Sequence, residues 1–100
     1  MNLKIKIGKY QFDGPFNFLK GVQNTSGVYV VLCGKGSKNQ VLGLGESEMM
    51  RRAIHTSKEI KCWKNNCKGY PKFAFLVCNK AERVKIAAEL RAEFNPPCGD

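Results

Sequence analysis

The stretch from residue 26 to residue 54 constrains this chain more than any other. Val28-Tyr29-Val30-Val31-Leu32-Cys33 is an uninterrupted run of β-branched, aromatic and apolar residues, the pattern of a central strand within a sheet. Asn24-Thr25-Ser26-Gly27 forms a turn into it, and Gly34-Lys35-Gly36-Ser37-Lys38-Asn39 leads out as a basic hairpin loop. Val41, Leu42 and Leu44 then supply an antiparallel partner, where Gly43 and Gly45 mark a bend or a close backbone approach. The Gly-x-Gly has no third glycine and no Lys-Ser/Thr after it, as a phosphate-binding loop would require. Ser47 is placed to cap a helix whose positive end Glu46 and Glu48 complement. Along that helix Met49, Met50, Ala53, Ile54 and Ser57 share one face, with Arg51, Arg52 and His55 to the sides.

The flanking segments complete an α+β pattern. Leu3, Ile5 and Ile7 alternate with lysines as a half-buried strand, which Tyr10 and Phe12 extend up to a turn at Asp13-Gly14-Pro15. Phe16, Phe18, Leu19 and Val22 follow as an apolar segment of one or two helical turns, expected to dock on the core rather than stack on bases. Residues 58–61 end the first long helix, and residues 62–71 read as a polar, basic loop carrying Trp63 and Tyr70. Residues 73–78 form another apolar strand. Asn79, with Glu82 three positions on, starts a last helix whose buried stripe is Ile86, Ala87, Leu90 and Phe94 and which Pro96 and Pro97 stop. The expected fold is a small antiparallel sheet flanked by helices in a single domain. Residues 1–25 form an N-terminal strand and aromatic segment docked on the core, and residues 26–100 form the main body.

Lys and Arg number 17 against 8 Asp and Glu, a formal charge of +9. Such a domain is drawn to polyanions, of which nucleic acid is the commonest in a cell. No window approaches 18 consecutive apolar residues and the N-terminus alternates, so no membrane partner and a cytoplasmic location are expected. Five cysteines form an odd set: Cys33, Cys62, Cys67, Cys78 and Cys98. Without a secretory signal they are expected to stay reduced and unpaired, Cys33 and Cys78 packing as small hydrophobes. A zinc site built from Cys62, Cys67 and Cys98 is the alternative, although the Cys62–Cys67 spacing is wider than the usual knuckle.

Gly27-Val28-Tyr29, then Gly43-Leu44-Gly45 followed by Glu46-Ser47, then the tail Phe94-Asn95-Pro96-Pro97-Cys98-Gly99 occur in the order and spacing of a known nuclease scaffold. Over about residues 26 to 99 the chain resembles the GIY-YIG nuclease domain. The resemblance implies a tyrosine and a base that activate water, an arginine that stabilises phosphorane charge, and a glutamate that holds one divalent metal. Tyr29 matches the first tyrosine. Gly43 replaces the second, Ala53 the arginine, Ala87 the metal glutamate and Gly99 the tail asparagine. The implied function is therefore a catalytically degenerate GIY-YIG endonuclease-like domain that binds nucleic acid, DNA favoured, through a basic face. Lys35, Lys38, Arg51, Arg52, Lys61, Lys64 and Lys68 would supply the charge, and Trp63 and Tyr70 would stack. One alternative is an active Mg²⁺-dependent endonuclease with Tyr29, Arg52 and His55 catalytic and Glu89 on the metal. Another is a module that binds a protein partner. The plainer reading makes Tyr29 a packed strand aromatic and Arg51, Arg52, His55 and Glu89 solvated helix residues.

Overall fold

A computed structural model describes residues 3–35 and 38–99 of the chain. Its strands are β1 (Lys4–Ile7), β2 (Tyr10–Phe16), β3 (Gly27–Lys35), β4 (Lys38–Ser47) and β5 (Lys72–Val77). Its helices are α1 (Met50–His55), α2 (Ile60–Asn65) and α3 (Lys80–Phe94), with a short 3₁₀ turn at Leu19–Gly21. The strands form one sheet in the order β1-β2-β5-β3-β4, every neighbouring pair antiparallel. β3 is a central strand as its composition demands, with Tyr29 opposite Gly45 on β4 and Phe75 on β5.

Two cores follow from the alternation of β3. Val28, Val30 and Leu32 face α3, where Ile86, Ala87 and Leu90 cover them together with Phe12, Ile7, Ala74 and Leu44. Val31 faces the other way into Val22, Leu42, Met50, Ile54, Trp63, Phe75 and Cys98, a layer that α1, α2 and the C-terminal tail build. Opposite Val31 and Leu32, β4 carries an extra residue, Leu42, between the partners Gly43 and Val41. This bulge turns the Leu42 side chain to the α1/α2 face, and the Leu42 carbonyl accepts the Cys98 N–H at 2.9 Å. Arg91 donates to the Leu44 carbonyl at 3.3 Å. The outer edge of β4 is thus partly covered by tail and helix, which blunts an edge otherwise open to pairing.

Several elements depart from the sequence expectation. Tyr10 and Phe12 belong to a separate strand, because Gly8 at φ 62° turns the chain into a β1–β2 hairpin. Asp13-Gly14-Pro15 is no turn but an irregularity inside β2, between the pairs Asp13–Phe75 and Phe16–Phe73; a bulge is where a strand tolerates a residue without an N–H. The helix expected to run to residue 61 is two helices. At about 100° per residue, one continuous helix would carry Trp63 about 180° around from Ile54, yet both side chains are buried in the same layer. The break at residues 56–59 reconciles them, and the Ser57 hydroxyl accepts the Glu59 N–H there at 3.0 Å. Ser47 accepts the Met49 N–H at 3.0 Å just before α1, whose cap position is Met49 itself. Asn79 does cap α3, accepting the Glu82 N–H at 2.9 Å. Phe94 is 37% exposed, and the first position of the α3 stripe goes instead to Arg83, at 8%. Phe18, expected in the core, is 68% exposed.

The cysteine expectation is corrected. Cys33 and Cys67 form a disulfide, as do Cys62 and Cys98, with Cα separations of 5.6 and 5.8 Å. Both bonds connect α2 and its exit, one to β3 and one to the tail, contacts that linear spacing does not reveal. They also consume the three thiols of the conceivable zinc site, and among the described residues no group of three His, Cys, Asp or Glu side chains could hold a metal. Cys78 is free and half-buried, and burial pushes its thiol pKa up. No helix among the described residues is long and apolar enough to cross a membrane.

Thiol titration of the denatured, unreduced chain is expected to count one free thiol, Cys78. With closed loops of 34 and 36 residues, C33S or C62S is expected to lower urea-derived stability by about 3–4 kcal/mol in the chain-entropy account of disulfides.

Candidate functional site

The sheet has two chemically distinct ends, and the candidate residues divide between them. At the end where Gly27 pairs with Ser47 and Val77, α1 leaves β4 and α3 begins. A shallow concavity of about 500 Å³ lies there, lined by Glu46, Ser47, Glu48, Met49, Arg52, Ala53, Thr56 and Arg83. The Arg83 Nε donates to Glu46 Oε1 at 2.6 Å and its Nη1 to the Ser26 hydroxyl at 2.8 Å. Ser26 in turn donates to the Cys78 carbonyl at 2.7 Å. Arg83 is buried and its charge is matched by Glu46, which is how a folded chain tolerates an inward arginine. The Arg52 backbone N–H is held by the Asn24 side chain at 3.0 Å. Its exposed guanidinium has no carboxylate or carbonyl within bonding reach among the described residues.

The other expected catalytic residues do not gather around Arg52. Tyr29 packs on the α1/α2 face of the sheet, its ring across Gly45: a Cβ added at Gly45 would fall 2.3 Å from the Tyr29 hydroxyl oxygen. Glu46 pairs with Val28 and serves the opposite face with Arg83. Glu89, expected on a metal, also lies on that opposite face, on α3. It accepts the Tyr10 hydroxyl at 2.5 Å and has Lys9 Nζ at 3.8 Å. His55 is exposed on α1, outside the concavity. These residues do not fit a divalent ion: Tyr29 and Glu89 are on opposite faces of the sheet, and Glu89 is already engaged.

Gly43 has a structural purpose. A Cβ there would lie 2.7 Å from the indole Nε1 of Trp63 and 3.1 Å from the Cys98 carbonyl oxygen. The place open to a side chain at this position is filled by α2 and the tail. Trp63, expected to stack on bases, is 4% exposed and part of the core. Its buried Nε1 has no hydrogen-bond partner among the described residues. Arg51, also expected on the binding face, donates its Nε to the Val22 carbonyl at 2.8 Å and so ties α1 to the segment after the 3₁₀ turn.

The far end of the sheet gathers the remaining basic candidates. Lys35 and Lys38 pair at the β3–β4 tip; their side chains lie outside the described residues. The Cys33–Cys67 bond brings the end of α2 to this tip, with Lys61 and Lys64 exposed on α2 and Lys68 exposed just beyond it. Tyr70 is 92% exposed. It lines a concavity of about 570 Å³ with Asn17, Phe18, Gly34 and Lys72. From the sequence Phe18 was expected to dock on the core, and Lys20 and Lys72 were not singled out. A readable signal did exist: residues 14–45 and 60–81 contain no Asp or Glu, and all five residues of this concavity come from those two stretches. Arg83 also left a trace, since it falls at helical spacing on the otherwise apolar stripe of Ile86, Ala87 and Leu90.

The Tyr10–Glu89 bond sets a pH window. Its hydrogen bond to the carboxylate pushes the Tyr10 pKa from 10.0 up to about 12, and the same bond draws Glu89 below the usual carboxylate value. Tyr10 therefore contributes stability fully below pH about 10 that is lost as pH rises through about 12. Glu89 contributes above its ordinary pKa, and that part is lost as pH falls through its lowered one. In a 295 nm titration Tyr10 is expected to ionise near pH 12, and E89Q to return it toward 10. G43Y, which would place a phenol at this position, is expected to destabilise the fold by about 1–3 kcal/mol through overpacking against Trp63 and to create no nuclease activity.

Comparison with protein-family models, curated proteins and solved structures finds no match for this chain.

Proposed function

We propose that this chain is a GIY-YIG-like domain that has lost its cutting chemistry and binds nucleic acid, DNA favoured, through the basic end of its sheet. The observation that carries the reading is the set of lysines around the β3–β4 tip, the end of α2 and the start of β5, drawn from stretches without a single carboxylate. Such a surface attracts phosphates and releases their condensed counterions. The scaffold part of the proposal is supported by Gly27-Val28-Tyr29 on β3 lying beside Gly43-Leu44-Gly45 on β4. The inactive part is supported by the filled position at Gly43 and by the Tyr10 bond of Glu89. The expected cytoplasmic location sits poorly with two disulfides, because the thiol pools of that compartment keep most cysteines reduced.

Fluorescence anisotropy on a labelled 20-base-pair duplex across a salt series tests the reading. Log affinity is expected to fall linearly with log salt, at a slope of about −0.9 per phosphate neutralised, and K64Q/K68Q is expected to flatten that slope by about 2. Supercoiled plasmid is expected to stay intact with Mg²⁺. Nicking that Y29F and R52A abolish would instead establish an active endonuclease. Absence of binding even at low salt would favour a protein-binding module.

A further inference from the structure

The basic end of the sheet carries a feature that backbone electrostatics does not require. Phe18 and Tyr70, 68% and 92% exposed, lie far apart in the sequence and line one concavity of about 570 Å³. Two exposed aromatics lining one concavity form an apolar surface of the kind that marks interaction sites. Both sit on restrained backbone. Phe18 is extended, at φ −125° and ψ 145°, and its carbonyl accepts the Gly21 N–H at 3.0 Å. Tyr70 precedes Pro71, which confines it to extended conformations. Little ordering entropy is then lost when something is laid against the two rings.

The surroundings select the occupant. Lys72 lines the same concavity, and the Lys20 ammonium lies 6.0 Å from the centre of the Phe18 ring. Phe18 and Lys20 also line a neighbouring hollow of about 290 Å³, which extends the track beyond the first concavity. An acidic partner with flat π-faces fits this combination of rings and cations. A duplex fits poorly, because its bases are stacked on one another and offer phosphates but no faces. Unpaired bases offer both.

We infer that the Phe18–Tyr70 groove stacks the bases of an unpaired stretch of DNA while Lys20 and Lys72 hold its phosphates. This rests on the nucleic-acid reading above and adds to it a preference for single strands. It also separates two roles on one face: the lysines of α2 and the following loop attract any phosphate backbone, whereas the groove distinguishes single from double strand.

The test is anisotropy with labelled dT15 and a labelled 15-base-pair duplex, on wild type, F18A, Y70A, Y70F and F18A/Y70A. Circular dichroism melts check that these surface variants remain folded. Loss of one aromatic is expected to weaken dT15 binding about tenfold, since a single base stack is worth one to two orders of magnitude in affinity. Loss of both is expected to weaken it further, while duplex binding changes less than about twofold. Y70F is expected to bind dT15 as wild type does, because stacking uses the ring and not the hydroxyl. If F18A/Y70A binds dT15 like wild type, the groove assignment is overturned while nucleic-acid binding stands. If wild type binds neither probe at low salt, the underlying reading falls and the groove assignment falls with it.

Discussion

Everything in this fold depends on β3 being covered on both faces. Val28, Val30, Val31 and Leu32 are all 0–1% exposed, each such side chain contributing about 1.5–3 kcal/mol by leaving water. One helix suffices on the side of Val28 and Val30, because α3 lays a straight stripe of Ile86, Ala87 and Leu90 along them. On the other side two short helices, the 3₁₀ segment and the tail are assembled piecemeal around Val31 and Leu42. That patchwork explains why both disulfides are found on that side. α2 is six residues long and buries only Trp63, too little to hold it by helix formation alone. Covalent bonds to β3 and to the tail hold it instead.

The same patchwork decides the chemistry. Gly43 yields its space to the Trp63 indole and the Cys98 carbonyl, so α2 and the tail are seated where the proposed nuclease scaffold would keep a phenol. Tyr29 lies across Gly45, and Glu89 is committed to Tyr10. Arg52 and His55 stay exposed on α1, but the sheet separates Tyr29 from both carboxylates. The opposite end offers charge and exposed aromatic surface, on which the proposed binding role rests.

The two ends of the sheet also differ in how their charges are treated. Near α1 and α3, Arg83 is buried and matched by Glu46 and Ser26, a closed network that stabilises its own surroundings. Near the other end the exposed Lys61, Lys64 and Lys68 make no ion pair among the described residues, and residues 14–45 and 60–81 carry no acid. Uncompensated charge of one sign raises the local concentration of polyanions. A protein that needed only solubility would gain as much from lysines interspersed with carboxylates.

The sequence by itself determined the element types around residues 26–54, the central place of β3, the Asn79 cap and most of the α3 stripe, because these rest on local periodicity and on short-range hydrogen bonding. It also placed Gly43, Ala53, Ala87 and Gly99 where the resemblance would call for functional side chains. Only the tertiary structure decided the break between α1 and α2, the bulge at Leu42, the burial of Trp63, the exposure of Phe18 and the pairing of four cysteines. Each of these depends on which face of β3 must be covered and on segments more than thirty residues apart in sequence, such as Cys62 and Cys98. Periodicity reports where a side chain points along its own element, but not what will be standing there when the chain has closed around it.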